Sequence, residues 1–251
     1  MDLGLRDHVF VLTGAGRGLG RATADVLVAE GARVVLSGRH GDTLDRAAAD
    51  LGDACLPVVA DNADPETGDR LVAAARERWG RLDGALVSVG GPPPGSVMGT
   101  SDEAWAHSFD AIFLGAVRVA RAVAGALEGP GSIAFVLSTS VRAPLADLAI
   151  SNGLRPGLGM VAKMLADELG PRGVRVNGLL PGRVETERVQ ELDAATGDAV
   201  TARERSVARI PLRRYGEPEE FGRVAAFLLS PASSFVSGAM VPVDGGMLRA
   251  L

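Results

Sequence analysis

Short apolar runs alternate with longer segments of helical periodicity along most of this chain. The runs lack the polar alternation of a strand with one face in water, which predicts strands buried on both faces of a parallel sheet. Strands and helices in alternation are typical of α/β domains. The sequence therefore predicts a doubly wound parallel sheet of about seven strands with helices on both faces. The predicted strands cover residues 8–13, 33–37, 56–60, 84–89, 132–138, 174–180 and 240–243.

The segments between the strands carry a helical pattern at residues 18–30, 43–51, 65–80, 102–127, 151–169 and 218–229. Between residues 184 and 210 the sequence is polar and loses a clear period. Long excursions in compact domains are usually functional, so we expect a substrate-side lid there. With 251 residues and 47% hydrophobic content, the chain is long enough for one large α/β domain over residues 1–251 and too short for two.

Charge and composition exclude several classes of partner. The formal net charge is −5 and the arginines are scattered among acidic residues, which argues against nucleic acid or an anionic membrane. No apolar run is as long as a membrane span, and the single Cys55 cannot form an internal disulfide. We therefore expect a cytoplasmic protein whose partner is a small molecule, with no nucleic acid, membrane or metal involved.

A glycine-rich turn follows the first predicted strand and opens the first helix. Residues 13–20 have the sequence TGAGRGLG, which places flexible backbone where a diphosphate approaches a helix N-terminus. A glycine motif alone is weak evidence, and a turn without a ligand is the alternative; the strand-turn-helix position is the context that favours dinucleotide binding. The residues predicted to bind a cofactor at this edge are Gly14, Arg17, Gly18, Leu19, Gly20, Asp61, Asn62 and Gly90.

The end of the second strand favours NADP(H) over NAD(H). NAD-specific proteins usually place an acidic residue here to bind the ribose 2′-hydroxyl, whereas residues 37–40 have the sequence SGRH. Arg39, helped by Arg17 and the Ser37 hydroxyl, is suited to a 2′-phosphate, because a guanidinium matches its multi-oxygen geometry. The alternative is that Arg39 is a solvated loop residue.

Several ordered motifs resemble the short-chain dehydrogenase/reductase family, nearest to its 3-oxoacyl-acyl-carrier-protein-reductase-like members. The resemblance spans nearly the whole chain and implies a Rossmann-type fold, nicotinamide-dependent oxidoreductase activity and a homo-oligomer, either a tetramer or a dimer. It also implies that Pro181, Gly182, Val184 and Thr186 bind the cofactor. The motifs are residues 13–20, Asp61, Ser138, Val176 with Asn177, Pro181 with Gly182 and Thr186, and residues 243–246.

The resemblance implies a catalytic Ser, a Tyr thirteen residues later and a Lys four residues beyond that, and of these this chain has only the Ser. Counting from Ser138, the Tyr position is Ser151 and the Lys position is Arg155, and a helix Asn of the family aligns with Phe113. The single lysine, Lys163, lies eight residues beyond Arg155, about two helical turns, so it does not replace the missing Lys.

These replacements change the proton chemistry. A phenol has a pKa near 10 that a neighbouring cation brings toward neutrality, whereas the Ser151 alcohol is a far weaker acid. Arg155 keeps a positive charge and can bind ribose hydroxyls, but a guanidinium does not deprotonate in proteins and cannot pass on a proton. We expect this chain to keep cofactor binding although it has lost the usual proton transfer. The catalytic candidates are Ser138, Ser151 and Arg155.

Other side chains near the site could supply a proton. His107 has the most suitable intrinsic pKa, but a lone histidine on an amphipathic helix is more often a surface or packing residue. Asp147 is more readily explained as a helix-cap or turn carboxylate. The full set of substitutes is His107, Ser140, Arg142, Asp147, Glu185 and Glu187.

Three functions stay open at this point. The first is an atypical NADP(H)-dependent oxidoreductase acting on a carbonyl or hydroxyl substrate, such as a 3-oxoacyl compound or a secondary-metabolite ketone. The second is a non-redox lyase, cyclase or isomerase in which Ser138, Ser151 and Arg155 stabilise an oxyanion. The third is a non-catalytic NADP(H)-binding protein that senses the cofactor or pairs with an active homologue. We rank the first highest, because most relatives of this fold are oxidoreductases.

Overall fold

Seven strands form a single parallel sheet in the computed structural model, which describes residues 2–250. Their order is β3-β2-β1-β4-β5-β6-β7, and every neighbouring pair is parallel. The chain therefore winds outward from β1 in one direction and from β4 in the other, which confirms the predicted doubly wound sheet. The strands are β1 (Val9–Leu12), β2 (Arg33–Gly38), β3 (Cys55–Val59), β4 (Gly84–Ser88), β5 (Gly131–Val136), β6 (Val174–Pro181) and β7 (Met240–Val243).

The helices cover both faces of this sheet. Successive side chains of a strand point to opposite faces. Val9 and Val11 of β1 therefore pack with the helices Thr67–Trp79, Gly115–Ala126 and Ala149–Leu169. Phe10 and Leu12 pack with the helices Gly18–Ala29, Gly41–Leu51 and Pro218–Leu229 on the other face. Across residues 2–250 no helix is long and apolar enough to cross a membrane. The helices are α1 (Gly18–Ala29), α2 (Gly41–Leu51), α3 (Thr67–Trp79), α4 (Asp102–Ser108), α5 (Gly115–Ala126), α6 (Ala149–Leu169), α7 (Glu187–Ala194), α8 (Ala199–Arg209) and α9 (Pro218–Leu229).

The long helix predicted over residues 102–127 is divided. A π-helical segment, Phe109–Leu114, separates α4 from α5. It leads into Gly115, which lies so close to the backbone of Asn62 that a Cβ there would overlap the Asn62 carbonyl oxygen. A π segment changes the register of a helix over only a few residues and often accompanies a functional site. Hydrophobic periodicity over the whole stretch therefore did not reveal it.

The polar stretch at residues 184–210 contains two helices that periodicity also did not indicate. The Thr186 side chain accepts a hydrogen bond from the Val189 backbone N–H and begins α7, and Asp198 accepts one from the Thr201 backbone N–H and begins α8. Such caps satisfy the free N–H groups of a first helical turn. Both helices are mostly exposed, so they carry little of the apolar pattern by which helices are recognised.

The contact between β4 and β5 predicts a strong requirement for glycine at position 84. A Cβ on Gly84 would overlap the carbonyl oxygen of Ser132 on the neighbouring strand. We expect Gly84→Ala to lower the free energy of unfolding by about 2 kcal/mol or more, measured by chemical denaturation. Gly125→Ala is the matched control, because nothing lies within 4 Å of its added Cβ in α5, and it should stabilise by about 0.5 kcal/mol. Equal effects of the two changes would contradict the packing described.

Candidate active site

The loops that carry the predicted site residues meet where the winding direction of the sheet reverses. Strands β1 and β4 are neighbours there, although two β–α units separate them in the chain. In open α/β sheets this crevice, beyond the carboxyl ends of the strands, is where ligands bind. The loops after β1, β4 and β5 border it, and α7 lies against the first two of them through side-chain contacts.

The glycine-rich loop after β1 fits a dinucleotide diphosphate. Gly14 and Gly18 have positive φ angles of 58° and 60°, and a Cβ on Gly14 would lie 2.9 Å from the Ser88 carbonyl oxygen. The N-cap residue of α1, Arg17, makes no side-chain cap, so N–H groups of the first turn are available to a ligand. Free N–H groups at a helix N-terminus, reached through close-packed glycines, form a site for phosphate oxygens.

The residues predicted to bind a 2′-phosphate are only partly brought together. Arg39 is exposed, with no hydrogen bond or ion pair to any residue in the range 2–250, and the buried Ser37 hydroxyl likewise has no hydrogen-bond partner there. Arg17 instead turns toward α7, where it pairs with Glu187 at 2.5 Å and lies 3.9 Å from Glu191. Arg39 thus has a guanidinium available for a ligand, the Ser37 hydroxyl is buried, and Arg17 is held in an ion pair that the sequence did not predict.

The other predicted cofactor residues border the same edge. Asp61 caps its own turn by accepting a hydrogen bond from the Ala63 backbone N–H, and Asn62 donates to the Ser88 carbonyl oxygen at 3.4 Å. Gly90 is exposed, with open space where a side chain would project. The surface over Gly90 is therefore open to an incoming ligand.

Residues after β6 reach the glycine loop from the opposite side. Pro181 ends β6, and the backbone N–H of Gly182 bonds to Val243 on β7. Val184 is buried, which indicates a packing contribution at this position. The Thr186 side chain, besides capping α7, lies 3.7 Å from where a Cβ on Gly18 would stand. Thr186 is thus the member of this group that faces the diphosphate loop.

Three serines lie close together at the end of β5. Ser138 is partly exposed, and its hydroxyl oxygen accepts a hydrogen bond from the Ser140 backbone N–H at 3.1 Å. The Ser140 hydroxyl lies 3.3 Å from that of Ser151, and both of these serines are buried. Because the backbone occupies one acceptor site of Ser138, its own proton is free to point into the cleft. Ser140, which the sequence suggested only as a substitute, thus contacts Ser138 through its backbone N–H and Ser151 through its hydroxyl.

Arg155 places a buried cation beside these hydroxyls. It lies one helical turn after Ser151 on α6 and is only 6% exposed. Its guanidinium donates to the Val136 carbonyl oxygen at 2.7 Å and to that of Gly90 at 3.5 Å, so it bridges the ends of β5 and β4. Burial, together with the nearby charge of Arg188, lowers the pKa of Arg155 to about 10. The guanidinium is therefore charged at neutral pH and holds its proton.

Neither Phe113 nor Lys163 replaces a catalytic residue of the family. Phe113, in the π-helical segment, stacks on Phe109 with 5.2 Å between ring centroids, so an aromatic ring occupies the position aligned with the family's helix Asn. Lys163 is exposed on α6, and its side chain lies against Gly238 beside β7. Lys163 is thus separated from Arg155, as expected.

The substitute proton donors are mostly engaged or exposed. His107 is exposed on α4, and the Arg142 guanidinium donates to the Met240 carbonyl oxygen. Glu185 pairs with Arg203 and Glu187 with Arg17. Asp147 is exposed and has a left-handed φ of 55°. It does not cap α6, whose N-cap is Leu148, so it is a turn residue rather than a helix cap.

Contacts of Asp193 and Tyr215, which the sequence did not predict, anchor the helices of the predicted lid. Buried Asp193 of α7 accepts a hydrogen bond from the Tyr215 hydroxyl at 2.8 Å and pairs with Arg183 at 2.9 Å. The Arg203 guanidinium of α8 stacks over the Tyr215 ring, 4.3 Å from its centroid. Tyr215 is therefore a structural residue that joins α7 and α8 to the sheet domain. An isolated tyrosine beside a polar segment was the only trace of this role in the sequence.

Comparisons with known proteins agree with this architecture. The family model described as enoyl-(acyl carrier protein) reductase matches residues 14–248. L-rhamnose 1-dehydrogenase (NAD(P)⁺) of Azotobacter vinelandii is 33% identical over 253 residues, which cover 97% of each chain. Cyclohexanol dehydrogenase of Rhodococcus sp. is 30% identical over 275 residues, which cover 98% of each. Among solved structures, L-sorbose reductase from Gluconobacter frateurii, complexed with NADPH and L-sorbose, is similar over 100% of both chains, with a TM-score of 0.94 and 31% identity.

The chain belongs to the short-chain dehydrogenase/reductase family, as its motifs predicted. These relatives are named dehydrogenases and reductases of small molecules. The protein is accordingly an oxidoreductase of that family, and its particular chemistry has to be argued from the site.

The buried Tyr215–Asp193 contact makes a prediction that can be read from one chromophore, because Tyr215 is the only tyrosine. Burial, and secondly the hydrogen bond to Asp193, raise the pKa of the Tyr215 phenol above its ordinary value of 10. Titration of tyrosinate absorbance should therefore have its midpoint above that value, and Asp193→Asn should lower the midpoint by removing the carboxylate charge. Circular dichroism at each pH controls for unfolding. A midpoint at the ordinary value would mean that α7 is not docked.

Proposed function

We propose that this protein is an NADP(H)-dependent oxidoreductase that interconverts a carbonyl and a hydroxyl group on a small molecule. One observation carries the proposal: a glycine loop suited to a dinucleotide lies at the same cleft as the partly exposed Ser138, whose hydroxyl proton is free for a substrate. Structural similarity to a reductase solved with NADPH supports the cofactor assignment. The L-rhamnose dehydrogenase is named for both cofactors, so the preference for NADP(H) is argued from this chain's own Ser37 and Arg39.

The chain's own groups account for cofactor binding. The first turn of α1 and the loop at Gly14 and Gly18 would hold the diphosphate, and Arg39 would pair with a 2′-phosphate at the end of β2. Arg155 is placed to hydrogen-bond ribose hydroxyls near Gly90. The bound cofactor supplies or accepts a hydride at the substrate carbon.

Ser138 is the group that would polarise the substrate carbonyl. Its oxygen already accepts the Ser140 N–H, which leaves its proton to be donated to a carbonyl oxygen in the cleft. An aliphatic alcohol is too weak an acid to give up a proton outright. Ser138 must therefore regain a proton from water as it gives one, because its oxygen is bonded to a backbone N–H, which does not relay a proton.

Arg155 contributes charge rather than a proton in this scheme. Negative charge develops on the substrate oxygen during hydride transfer, and a fixed cation in a desolvated site lowers the energy of that state. The buried guanidinium is held by two carbonyl oxygens, so it needs little reorganisation during the reaction. Loss of the family's Tyr thus removes the strong acid but keeps the electrostatic part of catalysis.

The cofactor assignment is tested by calorimetric titration with NADPH, NADP⁺, NADH and NAD⁺. We expect NADPH to bind more tightly than NADH, and Arg39→Ala to weaken NADPH binding by about 10- to 100-fold with little change for NADH. The selective loss arises because only NADPH carries the 2′-phosphate. No binding by any nucleotide would defeat the proposed function, whereas equal losses for both would assign Arg39 a general role.

The role of Ser138 is tested with Ser138→Ala and NADPH oxidation over a panel of ketones, quinones and 3-oxoacyl thioesters. We expect kcat/KM to fall by about 100-fold with NADPH affinity unchanged, because the hydroxyl acts on the substrate oxygen. Ser234→Ala, on an exposed hydroxyl after α9, is the control. Product formation without nicotinamide turnover would favour the non-redox alternative, and full activity of Ser138→Ala would place the carbonyl elsewhere.

A further inference from the structure

Arg155 is a buried charge without a carboxylate partner. Among residues 2–250 its hydrogen bonds go only to two backbone carbonyl oxygens, at 2.7 Å and 3.5 Å. Two other arginines near the cleft have acidic partners: Arg17 pairs with Glu187, and Arg183 with Asp193. Arg39 and Arg142 have none within the described range, but both are exposed, so water solvates their charge. Burying a cation without a counter-charge is costly, and such charges are normally paired or bound to a ligand.

Two other carbonyl-bound arginines, Arg175 and Arg172, use more of their donors or are better solvated than Arg155. Arg175 spends its donors on four acceptors at the C-terminal end of α9, including the Leu228 carbonyl oxygen and the Ser233 hydroxyl. Arg172 binds two carbonyl oxygens at the end of α5, but it is exposed, so water reaches its remaining donors. A guanidinium has five N–H donors. Arg155 therefore keeps unused donors in a place that water reaches poorly.

A second guanidinium lies beside it. Arg188 of α7 donates to the Pro92 carbonyl oxygen at 2.6 Å, and its guanidinium packs against Gly91. Arg155 binds the Gly90 carbonyl oxygen, so the two cations contact successive residues of one loop. The only acidic partner of Arg188 within residues 2–250 is Glu191, which is exposed and 3.5 Å away. The Arg188 charge contributes to the lowered pKa of Arg155, and an anion bound between the two guanidinium groups would stabilise both charges.

We propose that the substrate carries a carboxylate, which binds between Arg155 and Arg188; this inference rests on the proposed oxidoreductase function. The cofactor's phosphates belong at the glycine loop after β1, whereas Arg155 contacts the ends of β4 and β5. Ribose hydroxyls are neutral and leave the charge uncompensated. A planar carboxylate matches the donor geometry of a guanidinium. The substrate class is therefore an oxo acid, with the corresponding hydroxy acid as its reduced form.

The reaction leaves the carboxylate unchanged. The carbonyl carbon of the oxo acid receives a hydride from the reduced nicotinamide, which is thereby oxidised. The electron pair of the carbonyl π bond moves to the oxygen, which takes one proton from solvent, directly or through Ser138. The carboxylate serves to orient the carbonyl and to neutralise the two guanidinium groups.

The test compares each acid with its neutral methyl ester. The probes are pyruvate, 3-oxobutanoate and 4-oxopentanoate, which vary the distance between carbonyl and carboxylate. Calorimetric binding to the protein saturated with NADP⁺ gives an affinity without turnover, and NADPH oxidation gives kcat/KM. We expect at least one acid to bind at least tenfold more tightly than its ester, and Arg188→Gln to remove that difference without changing ester binding.

Two further variants separate this role from others. Arg155→Gln should likewise remove the preference for the acid over its ester, and it should also lower kcat/KM for both, because Arg155 belongs to the proposed catalytic site. Thermal unfolding checks that the variant folds. Arg172→Gln is the matched control, since it removes a carbonyl-bound arginine at the end of α5, and it should leave the acid preference unchanged. If Arg155→Gln and Arg188→Gln weaken NADPH binding but not acid binding, the arginines serve the cofactor and the inference fails.

The outcomes distinguish this inference from the proposed function. Reduction of neutral ketones with no preference for any acid would leave the oxidoreductase standing and overturn the carboxylate site. Acid binding that depends on Arg188, in a protein that neither binds nor oxidises NADPH, would support the carboxylate site and overturn the oxidoreductase function. Failure of all three acids to bind more tightly than their esters would also count as a refutation.

Discussion

The close contact between the ends of β1 and β4 is the constraint on which the site depends. The Thr13 hydroxyl donates to the Ser88 carbonyl oxygen at 2.6 Å and accepts from the Ser88 N–H at 2.9 Å, so one buried side chain continues the sheet pairing past the strand end. The next residue must then be Gly14, because a Cβ would meet the same carbonyl oxygen. The diphosphate loop and the loop that carries Gly90 are thereby held side by side, which creates the cleft.

The substitutions at the reaction centre separate two properties that a Tyr and Lys pair provides together. Ser151 keeps a hydroxyl but is buried, and that hydroxyl lies against the equally buried Ser140 hydroxyl. Arg155 keeps the positive charge and is fixed at the ends of two strands. In the proposed function, the site would keep electrostatic stabilisation while its acid is weakened, because a guanidinium holds its proton more firmly than an ammonium. The proposed carboxylate substrate would suit such a site, since its charge would neutralise the two guanidinium groups.

Local patterns predicted the sheet, its helices and the glycine loop, because each depends on residues close together in the chain. The β–α alternation and the strand-turn-helix position of residues 13–20 are signals of that kind. The Arg17–Glu187 pair joins residues 170 positions apart, and the Arg188–Pro92 contact joins residues 96 apart. The exposed helices α7 and α8 have little apolar periodicity, and the π-helical segment shifts the register only briefly. These features depend on tertiary contacts, which periodicity does not report.

Helix α7 connects the two halves of the cleft. Near its beginning, Glu187 binds Arg17 of the diphosphate loop and Arg188 binds the loop after β4; at its other end, buried Asp193 binds Tyr215 and Arg183. Ion pairs between exposed groups are weak and exchange readily with water, whereas the buried contacts of Asp193 are costly to break. The end of α7 that faces the ligands is therefore the more easily displaced. In the proposed function, a phosphate bound near Arg17 would compete with Glu187 for the same guanidinium, and it would thereby link cofactor binding to the position of Arg188 through this one helix.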